Sequence, residues 1–450
     1  MRIVIVGGGA AGMSAAAQAL RRDPKAEVEV YEAGDHVSYG ACGIPYLVAG
    51  KGREPEELVV FTPERFERER GGKVRVRHAV TEIDLKAKRV AVLPRGAREP
   101  MEVRFDKLIL ATGARPVKLG VPGADLRGIF RLRDLSSGIA LRRFVEEWRP
   151  RLGVVVGAGF LGLEMAEAFL ERGMEVTLLE REGEVMPMLD PEVSRFVRSM
   201  LESAGVKVVT GVEVRGYEGK EFVRTVYTED GSYPADVVLE AVGIRPNTEL
   251  ARNAGLSLTR FGAIRVDSAQ ETSRPGVYAA GDCAGTKNIV TGGEFWHPLG
   301  TTANKTGRVA GDRAAGGTMR FLGVAGTQIA KIPGGEVGRT GLTLKEAREA
   351  GFKAEAADIL DHSRSAYHPG GGRLLLRLVY DAETGRVLGA QAAGAEGVKA
   401  RLDVVATALW ARMTVGDLSR LDLAYAPPFS PVWDPLLRVA GRVARSLKGG

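Results

Sequence analysis

Cys42 and Cys283 are the only cysteines in this 450-residue chain. Cys42 lies in Ser38-Tyr39-Gly40-Ala41-Cys42-Gly43-Ile44-Pro45-Tyr46, among glycines and soon after Glu32. A thiolate in such a place attacks a disulfide and forms a mixed disulfide, whose reduction then needs electrons from elsewhere. A helix starting just after Gly43 is expected to lower the thiol's pKa. Cys283 follows Asp282 in a tight turn and reads as a packed, inert residue. Two cysteines make no disulfide framework. The histidines, His297 and His368 among them, show no ligand spacing, so no metal is expected.

The electrons have two candidate sources. Val4-Ile5-Val6 leads into Gly7-x-Gly9-x-x-Gly12, and Glu32 closes the next strand. Val154-Val155-Val156 leads into Gly157-x-Gly159-x-x-Gly162, and Glu180 closes its next strand. Each motif follows an apolar strand and opens a helix, with an acid about 20 residues on. The first glycine permits the tight turn, the second admits a pyrophosphate, and the third lets helix and strand approach. The pyrophosphate then meets unpaired amides at the helix N-terminus. Glu32 and Glu180 are placed to accept from ribose hydroxyls. Two dinucleotides imply electron transfer between them.

The elements that must position these groups follow in order. Residues 1–115 read as the first part of one dinucleotide domain, with a helix over 64–70 and a strand run beginning at 73–80. Lys107-Leu108-Ile109-Leu110 ends in Ala111-Thr112-Gly113, small residues where backbone passes close to a cofactor. Residues 116–246 form the second unit. Its helix begins with Asp190 as cap and Pro191 at the first position, and Val193, Phe196, Val197, Met200 and Leu201 make its apolar face. Gly205 ends that helix, and the unit closes at Val242-Gly243. Residues 247–325 return to the first domain. There Val277-Tyr278-Ala279-Ala280-Gly281-Asp282 brings a carboxylate to a strand end, able to accept from a chain of hydroxyls. A helix over 299–309, with Thr301 or Thr302 near its start, points positive dipole at a reduced cofactor. Residues 326–450 are expected to be a separate α+β domain of short strands for subunit contact. It includes a hairpin over 373–392 turning at 381–385 and a helix over 398–413. The run Tyr425-Ala426-Pro427-Pro428-Phe429-Ser430-Pro431 is stiff and aromatic, suited to an interface arm. The fold class is therefore α/β: two Rossmann-like dinucleotide-binding domains plus a C-terminal α+β dimerisation domain.

Bulk properties agree. The length calls for two or three domains. The net charge of +7 is spread by interleaving, as in Glu64-Arg65-Phe66-Glu67-Arg68-Glu69-Arg70, so no nucleic-acid partner is expected. No apolar run is long enough to span a bilayer. The N-terminus enters a strand at once, leaving no room for a signal peptide, so a cytoplasmic location is expected. Asn and Gln are scarce while Arg, Ala and Gly abound, a composition that suits a thermophile.

Together these motifs resemble the flavin-containing pyridine nucleotide-disulfide oxidoreductases, over essentially the whole chain. The resemblance implies that Gly7, Gly9, Gly12, Glu32, Ala111, Thr112, Gly113, Gly281, Asp282 and Thr301 bind FAD. It likewise implies that Gly157, Gly159, Gly162, Glu164, Glu180 and Gly243 bind NAD(P)H, with Asp282 on the ribityl chain and Glu164 near the nicotinamide. Two-cysteine members carry a Cys-x4-Cys pair and a C-terminal His-Pro-Thr; here Leu47 stands at the second cysteine's place and that tripeptide is absent. Oxidase and peroxidase members carry a histidine in the first glycine motif, where this chain has Ala10. Ser38-x3-Cys42-Gly43-Ile44-Pro45-Tyr46 looks most like the single-cysteine coenzyme A-disulfide reductase branch and its polysulfide-reducing relatives.

That branch implies a homodimer in which Tyr367 and Tyr425, otherwise packing aromatics, reach the partner's cysteine and protonate a leaving thiolate. Gln18, Arg21, Arg22 and Ser38 would bind the substrate, Arg21 gripping coenzyme A phosphates; the bland reading of Gln18, Arg21 and Arg22 is a solvated last helical turn. Ala41, where the branch often has a polar residue, and Tyr39 depart from its pattern. No rhodanese-like extension is expected after residue 450. The implied activity is NAD(P)H-driven reduction of coenzyme A disulfide, a persulfide or a polysulfide. The alternatives are an NADH oxidase or peroxidase working through a cysteine sulfenic acid, and a flavin-bearing redox sensor or electron carrier.

Overall fold

The computed structural model describes residues 1–51 and 54–449. Two parallel five-stranded sheets grow from the two apolar strands that precede the glycine motifs. In the first, Arg2–Val6 lies between Glu27–Tyr31 and Lys107–Leu110, with Lys73–Arg75 and Val277–Ala279 at the edges. In the second, Leu152–Val156 lies between Glu175–Glu180 and Val237–Glu240, with Lys207–Thr210 and Ile129–Phe130 at the edges. The central strands are buried on both faces, which is why they read as unbroken apolar runs rather than alternating ones.

Each sheet has a three-stranded antiparallel companion: His78–Asp84, Arg89–Pro94 and Met101–Arg104 in the first unit, and Val214–Gly219, Val223–Thr228 and Ser232–Pro234 in the second. The chain leaves the first unit through Ala114–Pro116 and returns through Ile244–Pro246, and these two short strands pair antiparallel. Asn247 fastens the crossing: its Nδ2 donates to Thr112 O at 2.9 Å, and Thr112 Oγ1 donates to Asn247 O at 2.6 Å.

The C-terminal sheet is antiparallel throughout, in the order Gln328–Ile332, Gly335–Gly341, Val387–Gly394, Arg373–Asp381, Ala354–His362. Helices Val398–Trp410 and Pro435–Gly449 help cover it. Among the described residues, no helix is long and apolar enough to cross a membrane.

Several local expectations need correction. The strand run from 73 splits at Arg77, whose φ of +59° turns the chain from the first sheet into its antiparallel companion. The helix expected over 299–309 runs Gly300–Ala314. The C-terminal strands are not short; three have eight or nine residues. The hairpin turns as expected, with Asp381 Oδ1 accepting from the Glu383 and Thr384 amides. The helix from Val398 stops at Trp410, ahead of Arg412 at φ +54°. Asp190 does not cap its own helix through its side chain. Its Oδ2 is taken instead by Arg377 Nε at 2.9 Å, Gln391 Nε2 at 2.7 Å and the Leu344 amide at 3.1 Å, all from the C-terminal region.

Candidate active site

Cys42 sits in a single turn, Ala41–Gly43, that feeds directly into the helix Ile44–Ala49. The turn is pinned from behind, where the Gly40 amide donates to Leu58 O at 2.8 Å and Tyr39 bridges Val59. The helix that follows is short, so packing rather than propensity must hold it. Ile44, Val48 and Ala49 insert into the second unit's core beside Leu163, Ala166 and Phe169. Arg172, just past the second glycine helix, donates Nε to Val48 O at 2.6 Å. The cysteine thus belongs in sequence to the first unit and leans on the second.

The expected lowering of the Cys42 pKa is overturned. Although the residue is exposed at the surface, partial enclosure of its sulfur pushes the thiol up, and the carboxylates of Glu164 and Asp282 push in the same direction. The six-residue helix behind it supplies too little field to reverse three opposing causes. Those two acids nonetheless locate the thiol. Glu164 comes from the second glycine helix, Phe160–Glu171, and Asp282 from the turn Gly281–Cys283 at the edge of the first sheet. Burial and the neighbouring Glu167 raise Glu164 to about 7. Burial alone raises Asp282 to about 6. Cys283 is wholly buried and donates Sγ–H to Leu110 O at 3.4 Å, in line with a packing role.

The first glycine motif is shaped for a dinucleotide. Gly7 has φ +104°, and a Cβ there would lie 2.1 Å from Ala111 O, so no side chain fits. Nothing stands within 4 Å of where a Gly9 Cβ would be, and no side chain caps the helix it starts. Glu32 holds the loop, accepting from the Gly8 amide at 2.7 Å and the Gly34 amide at 2.6 Å. Gly113, at φ +69°, accepts from the Asn247 amide. The Asp282 carboxylate accepts no hydrogen bond from the described residues, while its backbone oxygen takes Trp296 Nε1 at 2.8 Å. A half-buried acid without a protein donor, beside an open helix N-terminus, fits a ligand rich in hydroxyls and phosphates. Thr302 is buried at the start of helix Gly300–Ala314, and Thr301 is exposed beside it.

The second motif opens on a cleft of about 320 Å³ lined by Gly157, Gly159, Glu180, Arg181, Met188 and Gly243, with further residues. Glu180 accepts from the Ala158 amide at 2.7 Å and the Glu182 amide at 2.9 Å. One wall is braced from the C-terminal sheet: Arg339 Nη1 donates to Met188 O at 2.7 Å, and the Asp190 amide donates to Gln391 Oε1 at 2.6 Å.

The remaining candidates divide. Gln18 is buried rather than solvated, bonded to Arg21 Nη1 at 2.7 Å and facing Asp312, whereas Arg21 and Arg22 are exposed. Ser38 holds φ +49° and donates its amide to Gly8 O at 2.9 Å, so it ties the cysteine loop to the first motif. Tyr367 and Tyr425 lie 58 residues apart in sequence, yet their hydroxyls meet at 2.9 Å. The Ser365 amide and Oγ anchor the arm by donating to Pro427 O and Ser430 O. That hydrogen bond couples the two hydroxyls, raising the pKa of Tyr367 and lowering that of Tyr425. Both rings are exposed, Tyr367 by 75%, and neither hydroxyl bonds to Cys42 of the same chain.

Sequence reasoning missed Lys331, Glu167 and Tyr46. These line a small cavity with Glu164, and Lys331 pairs with Glu167 across two domains. Glu164 and Glu167 share a helix face at i, i+3, a visible signal. Nothing local marked Lys331.

Residues 1–304 match the family described as pyridine nucleotide-disulphide oxidoreductase, and residues 330–435 match that family's dimerisation domain. The chain belongs to this family. Like other members it is an oxidoreductase that uses FAD and NAD(P)H. It is 41% identical over 439 residues to a CoA-dependent NAD(P)H sulfur oxidoreductase of Pyrococcus abyssi, covering 97% of each chain. It is 34% identical over 448 residues to an NADH oxidase of Methanocaldococcus jannaschii, covering 99% of each. A solved NAD-dependent persulfide reductase from A. fulgidus superposes with a TM-score of 0.95 at 38% identity, over 100% of this chain and 84% of that one.

Proposed function

We propose that the protein is a homodimeric, cytoplasmic flavoenzyme that uses NAD(P)H to reduce coenzyme A disulfide or a related persulfide or polysulfide. The observation that carries this reading is the setting of Cys42. It is the exposed one of two cysteines, held where an acid from each nucleotide unit acts on its thiol. The other cysteine is sealed in the core, so the thiol's disulfide partner must come from outside the chain.

Residues 1–115 and 247–325 form the FAD domain, 116–246 the NAD(P)H domain, and 326–450 the dimerisation domain. Gly7, Gly9, Gly12 and Glu32 would hold the FAD pyrophosphate and ribose. Ala111, Thr112, Gly113, Gly281 and Thr301 would complete the FAD site, and Asp282 would accept from its ribityl hydroxyls. Gly157, Gly159, Gly162, Glu180 and Gly243 would hold the nicotinamide nucleotide, and Glu164 would serve its nicotinamide end. Bound FAD supplies the two-electron relay between nicotinamide and sulfur.

Cys42 Sγ loses its proton and attacks one sulfur of the disulfide RSSR. The Cys42–S–S–R bond forms, the S–S bond of the substrate breaks, and RS⁻ leaves. Two electrons then cleave the mixed disulfide, releasing the second RS⁻ and restoring the Cys42 thiolate, so NADH, one proton and RSSR become NAD⁺ and two RSH. Tyr367 and Tyr425 of a second copy protonate the leaving thiolate; their exposure and shared hydrogen bond support this role. Gln18, Arg21, Arg22 and Ser38 lie on the first unit's helix and the cysteine loop, from which Arg21 reaches substrate phosphates.

Cys42→Ser tests the reading. NADH should still reduce the flavin at close to the wild-type rate, while turnover of coenzyme A disulfide falls by at least about a thousandfold. Stopped-flow absorbance separates the two half-reactions. Wild-type turnover in this variant would overturn the mechanism. Mass spectrometry of the unreduced protein should find coenzyme A on Cys42. The relatives named NADH oxidase favour a second reading, in which Cys42 cycles through a sulfenic acid and oxygen is the acceptor. Peroxide or water formed at the rate of NADH loss, without any disulfide, would select it.

A further inference from the structure

One concave surface of the C-terminal region carries charge of a single sign. The helix Pro435–Gly449 buries Leu436, Val439, Ala440 and Val443. On its other side Arg438, Gly441, Arg442 and Arg445 follow i, i+3, i+4, i+7 spacing and share one face. Arg420 stands across from them, just beyond the short helix Val415–Leu418, and Trp433 completes the wall. The groove holds about 540 Å³, within the range of small-molecule sites, and no carboxylate lines it.

A solvated helix face would show the same spacing, but its arginines would not gather with one from another element around a cavity that no carboxylate lines. Some arginines of this chain pair with acids, Arg77 and Arg95 with Asp35 and Arg198 with Glu202. In the groove only Arg438 has an acid, Asp361, while Arg442 donates to the Asp358 carbonyl oxygen. Arg445 and Arg420 form no ion pair with the described residues. The acid nearest Arg420, Asp417, is occupied by Thr414. Asp361 answers only Arg438, and the other guanidinium groups around the cavity repel one another unless an anion sits between them. Arginine forks match phosphate oxygens in pairs. Trp433, 68% exposed at the groove's end, offers an aromatic face to a planar base.

We propose that this groove binds a phosphorylated nucleotide, its phosphates held by Arg420, Arg438, Arg442 and Arg445 and its base against Trp433. That chemistry has two sources. One is the nucleotide end of a coenzyme A substrate, which rests on the function proposed above but places its phosphates in this groove instead of at Arg21. The other is a free nucleotide acting as effector.

The test is calorimetric titration of the FAD-bound enzyme with ADP, with saturating NAD⁺ filling the cleft at Gly157. ADP should bind, and Arg442→Glu/Arg445→Glu should weaken it by at least about tenfold; Arg420→Glu, on the opposite wall, should weaken it independently. Both variants replace exposed side chains, the double variant also losing the bond from Arg442 to the Asp358 carbonyl oxygen, and a wild-type melting temperature verifies their fold. If the double variant also raises the KM for coenzyme A disulfide by a similar factor, with the KM for NADH and for a small aryl disulfide unchanged, the nucleotide is the substrate's own. Lost ADP binding with an unchanged KM for coenzyme A disulfide assigns the groove to a free nucleotide. If wild type binds ADP through these arginines yet reduces no coenzyme A disulfide, the site stands and the substrate reading falls. ADP binding that is absent in wild type, or equal in wild type and both variants, overturns the site.

Discussion

The two glycine motifs are nearly the same object locally and differ in what surrounds them. Gly7 and Gly157 take φ of +104° and +102°, and in each unit the strand-end acid accepts two backbone amides of its own loop. The helices they start meet different neighbours. Ala10–Arg22 lies against Gly300–Ala314, where a Cβ on Gly307 or Gly311 would stand about 2 Å from the carbonyls of Ala11 and Ala15. Phe160–Glu171 instead packs on the cysteine helix Ile44–Ala49 and the strand Gln328–Ile332. One unit is closed by its own later chain, and the other is braced by its neighbours. A shared fingerprint therefore says that a dinucleotide sits on each unit, while the packing decides which unit faces the thiol.

Swapping one methyl into each turn breaks the comparison most severely. In Gly7→Ala and Gly157→Ala the new Cβ meets a carbonyl oxygen 2.1 and 2.5 Å away, at a strained positive φ. Each should cost about 1–3 kcal/mol. Gly7→Ala should lose flavin, whereas Gly157→Ala should keep its colour and raise the KM for NADH by about tenfold or more. Loss of flavin in both would show that the units are not independent.

Asp282→Ala comes next in size. It removes a carboxylate that no described residue satisfies, so the purified protein should carry clearly less flavin, read as the flavin-to-protein absorbance ratio. Full retention would sink the assignment of Asp282 to the ribityl chain.

Glu164→Gln sharpens the contrast through pH. Burial lifts Glu164 from 4.5 to about 7, so the folded chain holds this proton more tightly than the unfolded chain does. Stability from this group is full below pH 4.5 and is lost as pH rises toward 7. The glutamine variant escapes that loss. The two melting temperatures should agree near pH 4 and diverge by pH 8, with the variant higher; curves parallel across that window would contradict the buried-acid assignment.

The smallest effect concerns cofactor choice. Glu180 should favour NADH by accepting from the 2′-hydroxyl and repelling a 2′-phosphate. Arg181 is exposed and paired with Glu182, so Arg181→Ala should lower kcat/KM for NADPH only about three- to tenfold. A wild-type preference for NADPH would mean that Arg181 outweighs Glu180.

Much of the fold was legible because its signals are local. The glycine spacings, the apolar strands that precede them and the Asp-x-x-x-Gly hairpin turn at Asp381 each depend on neighbours in sequence. The helix Pro191–Ser203 was legible for the same reason, through Pro191 and its apolar stripe. Its cap was not, because the Asp190 carboxylate is claimed by Arg377 and Gln391 from about 200 residues away. The raised Cys42 thiol was misjudged on the same grounds: the helix start is a local feature, but Glu164 and Asp282 arrive from two other elements.

What the amino-acid sequence determined by itself is the inventory: two turns that only glycine can make, two acids at strand ends, and one thiol in a glycine-rich loop. Those are short-range steric and hydrogen-bonding demands, settled within a few residues. The tertiary structure decided the meetings. It brought Tyr367 to Tyr425, set Lys331 beside Glu167, sealed Cys283 away, and lined one groove with arginines. Each of these depends on distances between elements remote in the chain, and only the packing of whole sheets and helices sets such distances.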